Sequence, residues 1–480
     1  MIESTATLAS IVEENAEEGW LSKSILWAYV VVLAWAPYPL GSNRPWSWNL
    51  LILLISLCWI LWGIAHWNRP QGNWTPLFSH PVPFGLALCT ILWAVVQALP
   101  IVPSEWTHPA WNTASSALGQ TMSATISLNP WHTLSECLKL CSYVLALWLA
   151  YLLARSTPTA FVLLDSVIAI GAIYGLYSVI LELMGYSQFE LLYSSRPAPS
   201  GYFAGPFVLH NSYATFTGLV ALAAMARLVS KGHAVIVATR GLRQTAVSGL
   251  QYLLGRGVGY LVAFLICFST LIATASRAGT LATLVGLISM LVLAAFVGNG
   301  RSARRLSVAA TILLGSLVLG LIALNGNMLA FRFYGLVDAG GVDAARLALW
   351  SAATRMISDA PLLGLGLGTF PDAYPLYASQ VLPFVMDKAH NDYLEFAAGL
   401  GLPAAIAWWV AWLLLVFDCA RGISRRRRNR QFVILAVGAS ALVAVHSAFD
   451  FSLQIPAVAF LYATLMGIGL AQARSTQAAR

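Results

Sequence analysis

Two arginines and one histidine carry the chemistry that this sequence offers. Arg277 sits in Ser276-Arg277-Ala278-Gly279, a short turn between two apolar runs. Arg346 lies in a polar stretch, four residues before Trp350 and on the same face if that stretch is helical. A guanidinium is planar, keeps its proton and grips phosphate oxygens through parallel N–H groups. His390 stands in Ala389-His390-Asn391-Asp392-Tyr393-Leu394-Glu395. An imidazole takes a proton from a hydroxyl near neutral pH. Fixed cations beside a base suit the displacement of a phosphate leaving group by an alcohol. Arg196 and Arg332 are weaker candidates for the same clamp. His210, Asn211 and Tyr213 open one apolar run, and His446 and Asp450 close another, so these polar groups are placed to line a shared cavity.

Each residue also has a plainer reading. Arg277 could be an arginine snorkelling at a membrane interface, where central burial costs roughly 2.5–3.5 kcal/mol. Arg346 could be a solvated helix-face residue. His390 could be structural, and the polar run ends could be wetted by lipid headgroups.

The elements that must position these residues are membrane spans. The 480 residues are 59% hydrophobic and 10% charged, against about 25% charged in soluble domains. So little charge cannot cover a water-facing surface. Apolar runs long enough to span appear near 24–41, 49–66, 82–99, 134–154, 160–184, 207–229, 257–275, 279–298, 306–325, 398–418, 432–449 and 456–473. The expected fold is therefore an all-α polytopic membrane protein of about twelve helices. Residues 1–23 form a polar, acidic N-terminal segment with no cleavable signal pattern, 24–473 one membrane domain, and 474–480 a tail.

Lysine and arginine set the orientation. With the N-terminus in the cytoplasm, 19 of the 27 basic residues fall on the cytoplasmic side, densest at Arg425 to Arg428. The net charge of +8 is thus a topology signal and not a mark of nucleic-acid binding. The same count places Arg277, Arg346 and His390 on the outer side. A large outer segment, 326–397, then joins the ninth and tenth runs, with smaller outer loops at 100–133 and 185–206. Within the large segment 343–359 reads as an amphipathic helix, with Asp343 as N-cap and Pro361 beyond its end. Gly364, Gly366 and Gly368 then read as a tight turn, since no strand or βαβ pattern supports a dinucleotide loop. The six cysteines lie mostly in apolar runs and read as small core residues.

No ATP is available on an outer face, so a substrate there must arrive activated. A sugar on a lipid diphosphate meets that need. The first outer loop, 41–48, contains no carboxylate, and no His/Cys cluster has metal-ligand spacing. A metal-independent reaction without a cofactor is expected.

Several stretches in the last two fifths of the chain resemble the O-antigen ligase and Wzy polymerase superfamily. They are Ser276 to Gly279, Arg346 to Trp350, Asp359 to Phe370, Ala389 to Glu395 and Phe449 to Pro456, with Gly205-Pro206-Phe207 and His210-Asn211 similar to an earlier motif. The resemblance implies a membrane glycosyltransferase of the GT-C type. Its donor would be a glycan on undecaprenyl diphosphate. Its acceptor would be lipid A–core in a ligase, a second lipid-linked glycan in a polymerase, or a protein in a third variant. The roles implied are phosphate binding for Arg277 and Arg346 and a base for His390, with Trp350, Asn391, Tyr393 and Asp450 also in matching stretches. Where many members carry a glutamate, this chain has Gly399, which leaves Glu395 as the expected substitute. A twelve-helix transporter or flippase is the alternative from another class. Its paired halves are not visible here.

Overall fold

The structure, a computed structural model, describes residues 20–67, 79–194, 202–237, 242–297, 342–378, 386–426 and 428–474. Its described elements are helices: α1 (Trp20–Trp35), α2 (Pro45–His66), α3 (Pro81–Ala98), α4 (Ala110–Leu118), α5 (Pro130–Leu153), α6 (Thr157–Met184), α7 (Gln188–Tyr193), α8 (His210–Val237), α9 (Leu242–Leu254), α10 (Val258–Ala273) and α11 (Arg277–Val297). After the segment 298–341 come α12 (Val342–Asp359), α13 (Phe370–Tyr377), α14 (Asp392–Leu400), α15 (Leu402–Arg425), α16 (Gln431–Ser447) and α17 (Pro456–Ala473).

Local chemistry sets the ends of these helices. Proline occupies the first turn of α2, α3, α5, α6, α13, α15 and α17, where its missing N–H has no helical partner to lose. Side-chain oxygens of Asn129, Ser156 and Asn391 accept backbone N–H groups at the starts of α5, α6 and α14.

Eight described helices are long and apolar enough to cross a membrane: α2, α3, α5, α6, α8, α11, α15 and α17. The chain is a multi-pass membrane protein. The twelve expected runs map onto the described residues unevenly. The run 306–325 lies outside them. The runs near 24–41 and 432–449 are the shorter helices α1 and α16. Helix α1 stops early because Pro37 and Pro39 cannot donate to a continuing ladder. The run near 257–275 is α10, bent by 77° from α9.

Helices α17 and α8 sit at the centre, 94% and 89% buried over their spanning windows, whereas α15 and α2 are 17% and 22% buried. The central pair is also less apolar, with mean hydropathy 1.4 against 1.8 and 2.1. Only the outer helices must satisfy lipid; the inner ones are free to carry small and hydroxyl residues. Small residues let the central backbones approach closely. A Cβ on Gly286 of α11 would lie 2.8 Å from the Gly438 carbonyl oxygen of α16, and one on Gly279 would lie 2.5 Å from Ala214 Cβ of α8. Helices α8, α11 and α16 therefore pack so that the starts of the first two and the end of the third meet at one end of the bundle.

Gly286→Val should lower the thermal unfolding temperature of purified protein, because backbone faces the added carbons and overpacking costs about 1–3 kcal/mol. Gly85→Ala, with open space around it, should leave that temperature unchanged or raise it slightly.

Candidate functional site

The meeting point of α8, α11 and α16 is organised by one carboxylate. Asp450 follows the end of α16 and is fully buried. Asn211, in the first turn of α8, donates from Nδ2 to Asp450 Oδ2. The Phe451 N–H donates to Oδ1 at 2.8 Å. His390 Nδ1 lies 3.4 Å from Oδ1, and Arg346 Nη2 lies 3.9 Å from Oδ2. The histidine distance is an ion-pair contact and too long for a good hydrogen bond, which agrees with Nδ1 being buried and lacking such a bond. Burial alone would raise the Asp450 carboxyl, but the His390 ring, the charge of His446 and the Phe451 N–H outweigh it and hold it down at about 2. The group is a fixed anion.

Three of the five buried side-chain polar atoms without a hydrogen bond, among the described residues, lie around this anion: Arg346 Nε, His390 Nδ1 and His446 Nε2. A fourth, Ser212 Oγ, follows Asn211 on α8. Such atoms are rare in folded proteins and call for an explanation. Arg277 opens α11, two residues before the Gly279 that packs on Ala214, and so stands at the same end of the bundle as Asn211.

The backbone is strained on both sides of the cluster. His390 has φ +53°, and Ala275, just before Ser276-Arg277, also has φ +53°. Left-handed conformations of non-glycine residues cost of order 1–3 kcal/mol and persist when their surroundings impose them. Around His390 the restraints are visible. Trp350 Nε1 donates to the His390 carbonyl at 3.3 Å. Asn391 caps α14 and donates from Nδ2 to the Ala448 carbonyl at 3.0 Å, tying His390 to the turn that bears Asp450. Glu395 Oε2 accepts the Ala389 N–H at 2.7 Å, and its other oxygen lies 3.2 Å from Lys388 Nζ. Burial would lower the Lys388 ammonium, but the charges of Glu395 and Glu136 outweigh it and raise it.

Lys388 also donates to Gln454 Oε1 at 2.5 Å, and Gln454 Nε2 donates to Asp392 Oδ1 at 2.9 Å. Ser447 Oγ donates to the other Asp392 oxygen at 2.7 Å. Burial pushes the Asp392 carboxyl up to about 7, against the pull of these two bonds and with the charges of Glu395 and Asp450 adding to it.

The glycine-rich stretch is the tight turn expected. Gly364, Gly366 and Gly368 all have positive φ, and the Leu365 and Gly366 N–H groups donate to Ala398 and Gly399 carbonyls at 3.0 and 2.9 Å. This contact explains the glycine at 399. A Cβ there would lie 2.9 Å from the Gly366 carbonyl oxygen, so no glutamate fits.

Of the candidates read from the sequence, the structure brings Arg346, His390, Asn211 and Asp450 together. Trp350 and Asn391 hold the backbone around His390. Tyr393 donates to the Ala444 carbonyl at 2.9 Å and packs edge-on against Trp409. His210 stacks on Tyr202, with ring centres 4.2 Å apart. Tyr213 does not reach the cluster. It is fully buried, with its hydroxyl 2.7 Å from Ser178 Oγ and its ring against Phe207. Two residues along a helix turn a side chain well away from its neighbour's face, so Asn211 and Tyr213 part. Arg196 and Arg332 lie outside the described residues. Sequence reasoning missed Gln97, Gln454 and the Glu136–Lys139 pair. Gln97 Nε2 donates to the Leu363 and Gly399 carbonyls at 2.6 and 2.8 Å, so it clamps the glycine-rich turn to α14. The available signal was a glutamine, and a Glu and Lys three apart, inside otherwise apolar runs.

Comparison with known families bears out the resemblance. Residues 262–409 match the family model described as O-Antigen ligase. The matched stretch contains Arg277, Arg346, Trp350 and His390, while Asn211 and Asp450 reach the site from outside it. Members of this family are membrane glycosyltransferase-like enzymes, and the family implies lipid-linked glycan substrates. A comparison with curated proteins gives no match.

Two outcomes are expected from the restraining network. Asp392 binds its proton more tightly folded than unfolded, where its ordinary value is 3.8. Its stabilising contribution is full below that value and is lost as pH rises to about 7. The unfolding temperature should fall between pH 4 and 7 by an amount worth ~3 kcal/mol, and Asp392→Asn should flatten that fall. Glu395→Gln keeps a carbonyl oxygen for the Ala389 N–H but loses the ion pair. It should reduce glycan transfer about 10- to 100-fold through a displaced His390. Unchanged transfer would show that Glu395 does not position the histidine.

Proposed function

We propose that this protein is an O-antigen ligase-like glycosyltransferase. It moves a glycan from undecaprenyl diphosphate to an acceptor hydroxyl, with lipid A–core the acceptor, on the periplasmic face of the bacterial inner membrane. The observation that carries this reading is the convergence of Arg346, His390 and Asn211 on the buried Asp450 carboxylate, with Arg346 Nε and His390 Nδ1 lacking hydrogen bonds. Support for the orientation comes from the basic-residue count, which puts this end of the bundle outside and fits about twelve spans with a large outer segment at 326–397.

The chemistry follows from the geometry. The acceptor oxygen attacks the anomeric carbon, and the bond from that carbon to the diphosphate oxygen breaks on the opposite face, with inversion. Arg277 and Arg346 receive the negative charge that develops on the departing diphosphate. His390 takes the acceptor proton. With Nδ1 turned to Asp450, Nε2 is the nitrogen left for substrate, and the fixed anion stabilises the imidazolium that forms. No metal ion or cofactor enters this scheme.

Arg277→Ala and Arg346→Ala should each reduce transfer about 10²–10³-fold, and His390→Ala about 10²–10⁴-fold, measured with purified protein, lipid-linked donor and acceptor. Arg346→Lys should not restore it, because an ammonium lacks the two-pronged fork. Deletion in the host should strand full-length polymer on undecaprenyl diphosphate and leave lipid A–core bare. Single repeat units without long chains would assign a polymerase instead.

A further inference from the structure

A cavity of about 170 Å³ lies inside the membrane domain among α3, α5, α14, α15, α16 and α17. Its wall is apolar and aromatic, with Phe84, Trp148, Trp408 and Trp412 prominent. Along α5 it runs from Leu140 to Trp148, a depth of about 12 Å at the helical rise. Its upper end is formed by Asp392, Tyr393 and Ser447, and Asp392 is two residues from His390.

No lining residue comes from α8 or α11, which carry Asn211 and Arg277. Helix α16 separates the two sides. Its Gly438 and Leu442 face Gly286 of α11, while its Val443, Ala444 and Ser447 line the cavity. In a displacement with inversion, the nucleophile and the leaving group occupy opposite faces of the reacting carbon. A lipid in this cavity lies across α16 from Arg277, on the side away from the departing diphosphate.

One lining residue states what kind of chain fits. The Tyr143 hydroxyl is buried and has no hydrogen-bond partner, a condition that costs about 1–3 kcal/mol. Tyr143 is one helical turn beyond Lys139, whose ammonium is 2.5 Å from Glu136. The hydroxyl therefore sits just beneath a charged layer. An isoprenoid chain has no polar atom below its phosphate. An acyl chain enters the membrane through an ester or amide carbonyl, which is an acceptor at that depth.

We infer that this cavity holds an acyl chain of the acceptor, an acylated glycolipid, so that two lipids flank α16 during transfer. The inference rests on the transferase reading and narrows it towards a ligase.

The test is photolabelling of the full chain in phosphatidylethanolamine vesicles, using lipid A with a diazirine in one acyl chain. The probe should label the peptides holding Tyr143 and Trp408 to Trp412, and unlabelled lipid A should compete. Tyr143→Phe should weaken labelling about fivefold, the value of one hydrogen bond. Ala87→Phe, which fills the cavity from its wall, should abolish labelling. Both variants should unfold at the wild-type temperature; if one does not, the other decides. Labelling of the same peptides by a diazirine-bearing polyprenyl phosphate, with no competition by lipid A, would overturn the inference. So would equal competition by added diazirine-free phosphatidylglycerol, or the absence of labelling. Labelling as expected in a protein that transfers no glycan would instead overturn the transferase reading alone.

Discussion

A carboxylate buried without counter-charge is among the least tolerable groups in a membrane protein, and Asp450 is fully buried. Everything at this end of the bundle answers that constraint. Asn211 must arrive from α8, His390 from the stretch before α14, and Arg346 from α12. Each approaches the same two oxygens. The anion thereby fixes three segments far apart in sequence, and it does so through charge and hydrogen bonding where apolar packing has no directional preference. The result is a histidine aimed by an anion and an arginine held close without being fully consumed.

The helices beneath must be placed to suit. In lipid, apolar area gives no drive for helices to associate, so close backbone approach carries the packing. Gly279 against Ala214 and Gly286 against Gly438 bring α8, α11 and α16 into register. That register puts Asn211, Arg277 and Asp450 at one level. Above them the glycine-rich turn lies on the end of α14, held by Gln97 of α3 through three backbone groups. The turn seats α14, whose first residues adjoin His390.

His390 itself is held in a conformation that a free chain would leave. The Trp350, Asn391 and Glu395 contacts each restrain one part of the backbone around it. The buried ionisable groups of Lys388, Glu395 and Asp392 pair with one another or with Gln454 and Ser447, so this layer is internally satisfied. By contrast three of the five buried side-chain atoms without a hydrogen bond, among the described residues, belong to Arg346, His390 and His446, around Asp450. Polar atoms are paired in the supporting layer and left without hydrogen bonds around Asp450, an asymmetry that supports the proposed site.

The sequence by itself determined the helical membrane character, since so little charge can only be accommodated in lipid. It also determined most helix starts, where proline and capping residues act locally, and the tight turn at Gly364 to Gly368. It pointed to Arg277, Arg346 and His390, because an arginine in a three-residue gap between apolar runs and a histidine at the mouth of another are costly unless used. It did not determine which polar residues meet. Asn211 and Tyr213 are two apart in one motif, yet one reaches Asp450 and the other turns to Ser178. Nor did it show that α1 ends at Trp35, that α9 and α10 form a bent pair, or that Gln97 and Gln454 hold the supporting layer. Those outcomes depend on helix rotation and on which small residues face each other. Both are set by packing between segments hundreds of residues apart, and no local periodicity records it.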